Sequence, residues 1–233
     1  QNLSATLDGD VGGDFTAQRE IKKVLVVAIT SNRGLCGAFN TNVIKEVKNR
    51  SDYYTGKQVD VFAIGKKGND ALSKTHKVHG HHNAIFDHLT FENVAGIADD
   101  LTQKFLTGEY DRIELVYNQF KNAATQLPTA EPFLPIPKME KKANAKKTDF
   151  IFEPQKEALV AELMPKILNT QLFKAVLDAN ASEHGARMTA MDKASENANE
   201  LLKSLKISYN RARQAAITTE LTEIVSGAAA LNG

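Results

Sequence analysis

The sequence contains one cysteine, no tryptophan and no apolar run approaching the length of a membrane helix. The single Cys36 excludes an internal disulfide and fits a reducing compartment. The missing apolar run leaves no candidate helical membrane span. Charge of one sign is also lacking: 29 Lys and Arg stand against 28 Asp and Glu, a net of +1, so the molecule as a whole offers no field for nucleic acid or an anionic surface. There is no initial Met and no signal-peptide pattern. The opening Gln1-Asn-Leu-Ser-Ala5 reads as the continuation of something already begun, so a fragment or processed product is expected. The most informative absence is local. From Ala186 to Ser226 the chain has neither Gly nor Pro.

Such a run, dense in Ala, Leu, Met, Lys, Glu and Asn, predicts one long helix. Extended from about Pro165 to about Leu231, it would measure roughly 100 Å. A compact chain of this length is only about 45 Å across, so the helix is expected to protrude. Met188, Met191, Ala198, Leu202, Leu205, Tyr209, Ala212 and Ala216 recur at spacings of three and four, with polar Ser195 filling one slot. This narrow stripe is a coiled-coil seam rather than the wider face of a core helix. Near the end it moves over by one position, to Ile217, Leu221, Ile224, Ala228 and Leu231. The seam asks for a long partner helix, and no second run of comparable length exists in the chain. Charge is banded along the same helix: Asp192, Glu196 and Glu200, then Lys203, Lys206, Arg211 and Arg213, then Glu220 and Glu223. These bands are either a solvated face or a pattern that meets opposite bands on a surrounding partner.

The first two thirds read as α/β. After a Gly-rich lead-in over 1–20, the runs Lys22–Thr30, Gln58–Ile64 and Asp111–Gln119 have the β-branched, apolar character of buried strands. Helical patterns separate them, one through Val43, Ile44 and Val47, a short one around Ala71 and Leu72, and an amphipathic one over Phe91–Leu106. This alternation predicts a small doubly wound, Rossmann-like parallel sheet over 21–154, followed by the long helix over 155–233. The histidine-rich Lys77–His82 is read as a loop. Pro132–Pro137 is read as edge or extended, Lys138–Lys147 as a solvated lysine loop, and Asp149–Glu153 as a last short strand.

Several stretches suggest chemistry. The turn Arg33-Gly34-Leu35-Cys36-Gly37 sits between the first strand and its helix, where doubly wound folds bind phosphate. It lacks both the dinucleotide fingerprint and a P-loop, so a tight connection is the plainer use. Cys36 has no His or Asn spacing that would make it a nucleophile. His76, His79, His81, His82 and His88 cluster in sequence with only Asp87 as a carboxylate, which does not make a zinc set. A loop of five lysines without aromatics is a weak nucleic-acid patch. Two readings from other classes stay open at this point: a nucleotide-binding enzyme using the Gly34–Gly37 turn, and a free-standing coiled-coil adaptor.

Five stretches carry a family resemblance. Ser208-Tyr-Asn-Arg-Ala-Arg-Gln-Ala-Ala-Ile-Thr-Thr-Glu-Leu-Thr-Glu-Ile-Val-Ser-Gly-Ala228 resembles the C-terminal signature of the gamma subunits of F-type ATP synthases. Ala186–Met191, Asn197-Ala198, Ile29–Asn40 and Leu115–Phe120 agree with it in the expected order. The resemblance implies a central rotor shaft that makes no bond itself and needs no metal or cofactor. It implies a ring of three alpha and three beta subunits around the coiled coil, and an α/β domain resting with epsilon on the membrane ring of c subunits. It further implies rotor–stator contacts at Arg187, Arg213, Gln214, Thr218, Glu220 and Glu223, and a beta-contacting turn at Arg33, Gly34, Leu35, Cys36 and Gly37. The shaft tip would carry Ile224, Ala228 and Leu231. Family members begin with a helix that winds antiparallel against the C-terminal one; it is expected and not found before Gln1. The single cysteine favours a bacterial source over a plastid one, because plastid members carry a regulatory pair.

Overall fold

The structure is a computed structural model that describes residues 13–137 and 156–231. It divides into two compact units, Gln1–Met188 and Thr189–Gly233. In the first unit, strands β1 (Lys23–Ile29), β2 (Gln58–Ile64), β3 (Val78–His82), β4 (Arg112–Asn122) and β5 (Thr125–Leu134) form one sheet in the order β3-β2-β1-β4-β5. The first four are parallel and β5 runs antiparallel to β4. Helices α1 (Phe39–Tyr53), α2 (Lys66–Leu72) and α3 (Phe91–Leu106) connect them, and α4 spans Lys156–Leu231.

The central strand shows why the sheet forms. From Val24 to Ile29 every residue of β1 is fully buried, as expected for a parallel strand covered on both faces. Val24, Val26 and Ala28 pack with Val43 and Val47 of α1 and Leu72 of α2. Leu25, Val27 and Ile29 point the other way, into a core with Val94, Ile97, Ala98, Leu101 and Phe105 of α3 and with Leu168, Leu172, Ala175, Val176 and Ala179 of α4. The α3 face is the one its 3.6-residue period predicts. Its N-cap is Thr90, whose hydroxyl oxygen accepts from the Asn93 N–H.

Three features differ from the sequence reading. Val78–His82 is a strand, not a loop. It has no β-branched run, and its place comes from pairing beside β2, where Gly80 lies under the Phe62 ring; an added Cβ would be 2.7 Å from that ring. The β4 strand continues past Gln119 to Asn122 and turns back as a hairpin, so the prolines of 128 and 132 fall within edge strand β5, where a missing N–H costs no ladder bond. The third difference concerns α4. One face of its stretch Leu168–Ala186 is buried in the core of the first unit, so that unit extends to Met188 and the helix begins within it. Gly185 makes this packing close: an added Cβ would lie 3.0 Å from the Ala123 Cα in the β4–β5 turn. The lysine loop 138–147 and the strand read at Asp149–Glu153 lie outside the described residues.

In the second unit α4 continues as a helix, and every residue from Met191 to Leu231 is exposed. Among the described residues no helix is long and apolar enough to cross a membrane.

Candidate functional site

The order of the strands reverses between β1 and β4, and their carboxyl ends mark the crevice where open α/β sheets bind ligands. Here that crevice is filled by the chain itself. The turn that follows β1 is held by Ser31 and Asn40. The Ser31 N–H donates to Asn40 Oδ1 at 3.0 Å, Asn40 Nδ2 donates to Ser31 Oγ at 2.8 Å and to Cys36 Sγ at 3.2 Å, and the Ser31 hydroxyl donates to Arg33 O at 2.6 Å. Beside it, buried Asn118 of β4 donates to Phe39 O at 2.9 Å, and buried Ser182 of α4 donates to Asn118 O at 2.9 Å. A helix side chain thus occupies the position a ligand would need.

The neighbouring helix start is equally committed. The first N–H groups of α2 donate to Asn32 Oδ1 (Lys66), Ser31 O (Lys67), Thr30 Oγ1 (Gly68) and Gly65 O (Asn69). These are the groups that would cradle a phosphate at a helix N-terminus. With their hydrogens already placed, the start of α2 offers no free N–H to a phosphate.

Within the turn, Cys36 is buried at 2% exposure, which fits a packed thiol rather than a presented nucleophile. Leu35 is the opposite case: it is 80% exposed and adopts φ +63. A leucine in the left-handed region costs about 1–2 kcal/mol, and an exposed apolar side chain gains nothing within the chain to offset it. Gly37, at φ +57, takes the same region without that cost. Arg187 joins this turn from α4. Its Nη1 donates to Gly34 O at 2.5 Å and its Nη2 to Glu183 Oε1 at 2.5 Å. The structure therefore brings together two groups that the sequence separates by most of its length, Arg187 and the 33–37 turn.

The remaining residues of interest lie on the exposed helix. Arg213, Gln214, Thr218, Glu220 and Glu223 are all exposed, and no ion pair among the described residues engages Arg213, Glu220 or Glu223. The Thr218 hydroxyl donates to Gln214 O at 2.8 Å, so toward a partner it can act only as an acceptor. Of the seam, Met188, Met191, Leu202, Leu205, Tyr209, Ile217, Leu221, Ile224 and Leu231 are between 48% and 89% exposed. So long an apolar stripe in water marks a partner surface. Among the described residues the histidines form no metal-binding group: His79 Nε2 meets Asp60 Oδ2 at 2.9 Å, His82 lies tilted near the Phe62 ring, and His76 Nδ1 meets the Thr75 hydroxyl.

Sequence reasoning missed Asn40 as the organiser of the turn, along with Asn118, Ser182 and Glu183. Only Glu183 left a signal, its four-residue spacing from Arg187 on a helix face.

A family model described as ATP synthase matches residues 2–231. The ATP synthase gamma chain of Flavobacterium johnsoniae is 72% identical over 233 residues, covering the whole of this chain and 82% of that protein. The gamma chain of Flavobacterium psychrophilum is 68% identical with the same coverage. Among solved structures, a chain of the Euglena gracilis mitochondrial ATP synthase, in its OSCP/F1/c-ring assembly, superposes with a TM-score of 0.73 at 25% identity. That match covers 99% of this chain and 81% of the other. A chain from the Euglena gracilis rotor gives 0.66 at 25% identity, covering 93% and 83%.

Proposed function

We infer the role of this chain from its family: it belongs to the ATP synthase gamma chains. It is a rotor subunit of the central stalk of an F-type ATP synthase. The exposed helix of 189–231 is then one half of the rotor shaft, set inside a ring of alpha and beta subunits, and the α/β unit is the base that meets epsilon and the c-ring. The observation that carries this reading is the exposed seam from Met188 to Leu231 with charged residues banded beside it. One side demands a partner helix, and the other offers Arg213, Gln214, Glu220 and Glu223 to a surrounding ring.

The subunit makes and breaks no bond in this scheme. Rotation driven by proton flow changes which shaft residues face each beta subunit, and a difference in contact free energy biases each beta site between conformations. Hydrolysis drives the same cycle in reverse. The filled switch-point crevice and the committed N-terminus of α2 support a non-catalytic role. The location that follows is the cytoplasmic side of a bacterial inner membrane, held there through partners.

Arg213→Ala or Gln214→Ala in the full-length subunit should lower ATP synthesis by the assembled enzyme roughly tenfold, equivalent to about 1.4 kcal/mol of lost differential contact. Lys141→Ala, in the loop outside the described residues, should leave it unchanged. Equal synthesis by all three would contradict the assignment of the shaft contacts.

A further inference from the structure

We propose that Arg187 and Glu183 form an internal latch that fixes the 33–37 turn to α4, making Arg187 a positioning residue for the surface the turn presents. The guanidinium spans the two groups: Nη1 to Gly34 O and Nη2 to Glu183 Oε1, both at 2.5 Å. The Arg187 and Glu183 side chains are 22% and 13% exposed, so the pair is largely shielded from water and salt.

Gly34 O is a sensitive point to hold. The Gly34 carbonyl and the Leu35 nitrogen share one rigid peptide plane. Holding that carbonyl restrains the plane and, together with the tie at Cys36, restrains the left-handed φ of Leu35. Other hydrogen bonds hold the turn on either side of this peptide: the Ser31 hydroxyl donates to Arg33 O before it, and Asn40 Nδ2 donates to Cys36 Sγ after it. Leu35 is the strained, exposed residue between these two supports. Without the latch, the peptide that carries this strained residue loses its tie to α4, and the middle of the turn should relax.

The position of the latch on α4 is also informative. Ser182, Gly185 and Ala186 are the last strongly buried residues of the helix, and Arg187 follows them directly. The latch thus lies at the end of the buried stretch of α4. Its consequence for function rests on the rotor reading above: the turn keeps the shape in which it meets a partner subunit, with Leu35 as the apolar anchor. The latch itself does not depend on that reading.

Two measurements separate these levels. In the isolated full-length subunit, peptide-resolved alkylation of Cys36 by N-ethylmaleimide reports opening of the turn. Arg187→Lys and Glu183→Gln should each speed it by about tenfold or more, with thermal unfolding little changed. The double variant should be no faster than the quicker single, because both belong to one tie. Lys104→Ala is the control and should label at the wild-type rate. Unchanged alkylation in Arg187→Lys and Glu183→Gln would overturn the latch, and Glu183→Gln suffices if the arginine variant does not fold. In the assembled enzyme the same two variants should lower ATP synthesis severalfold. Fast alkylation with normal synthesis would remove the positioning role. Normal synthesis in Arg213→Ala as well would instead count against the rotor reading, leaving the alkylation result standing.

Discussion

A Gly65→Ala chain should lose about 3–5 kcal/mol of stability, a large share of what a domain possesses. Gly65 follows β2 with φ +103, a region that alanine avoids. An added Cβ would sit 2.1 Å from Thr30 O, 2.7 Å from Thr30 C and 2.9 Å from Thr30 Oγ1. The first two of those atoms are backbone at the end of β1. They cannot swing aside, because the Thr30 N–H donates to Ile64 O at 2.8 Å and the Gly68 N–H donates to Thr30 Oγ1 at 2.8 Å. Two other glycines calibrate the expectation. Gly37, at φ +57 with nothing within 4 Å of its Cβ position, should cost only about 1–2 kcal/mol as alanine. Gly96, in α3 with open space around it, should gain about 0.5–1 kcal/mol from helix propensity. Urea unfolding of the three variants of the full-length subunit should give that order. A Gly65→Ala loss below about 1 kcal/mol would mean that the close approach of β1 and β2 is not as described. Thr30 also precedes Ser31, the residue that anchors the 33–37 turn. Damage here should therefore reach the surface the turn presents.

What the sequence could reveal depended on whether the cause was local. The strands β1 and β2 were readable because they are short runs rich in β-branched and apolar residues, and α3 because its apolar residues keep a helical period. The long helix was readable from missing breakers, even though Pro165 and Gly185 lie inside it. Strand β3 was not readable. Its sequence VHGHH has no strand pattern, and its conformation comes from pairing beside a neighbour and from the fit of Gly80 under Phe62. Of β5 only the end was read, within the edge or extended stretch of 132–137; its earlier part from Thr125 was not, because Pro128 interrupts the pattern, and such prolines are tolerated at a sheet edge. The extent of helix packing was hidden too. Leu168, Leu172, Ala175, Val176 and Ala179 form an apolar stripe like the one farther along, and only the tertiary structure shows that one stripe is covered and the other is not.

The candidate site divides in the same way. Arg187 and the 33–37 turn were each singled out through a family resemblance, with both expected to face partner subunits. That they face each other is a contact across 153 residues, which spacing cannot disclose. Conversely, the exposure of the shaft residues was legible because no element among the described residues covers that part of the helix. Arg213, Glu220 and Glu223 keep the exposure that a free helix gives them, and only the Thr218 hydroxyl is diverted, to the carbonyl one turn back.

Stability should fall steeply in alkali, by about 4 kcal/mol per pH unit above pH 10, and three buried phenols are the reason. Tyr54, Tyr110 and Tyr117 are 7%, 1% and 0% exposed. Each hydroxyl donates to a carboxylate: Tyr54 to Glu114 Oε1 at 2.5 Å, Tyr110 to Asp60 Oδ2 at 3.1 Å and Tyr117 to Glu131 Oε1 at 2.9 Å. Burial first, and the adjacent carboxylate second, push all three phenols well above their ordinary range, because ionisation would place an anion in a dry site beside another anion. The sign follows from proton counts. Above pH 10 the unfolded chain has lost these three protons and the folded chain retains them, so unfolding releases protons and is favoured as pH rises. The contribution is fully present below about pH 10 and disappears as pH climbs toward the folded-state values. At roughly 1.4 kcal/mol per phenol per pH unit, a typical domain stability of about 5–15 kcal/mol would be exhausted within roughly 1–4 units above pH 10. Urea unfolding at pH 9, 10 and 11 measures the slope. Tyr117→Phe should reduce it by about a third, since Glu131 at the edge of the sheet can turn to solvent once the hydroxyl is gone. A stability that stays level through pH 11 would show that these phenols ionise in place, and that the polar pairs joining α1 to β4, the residue preceding β4 to β2, and β4 to β5 are not the dry contacts described.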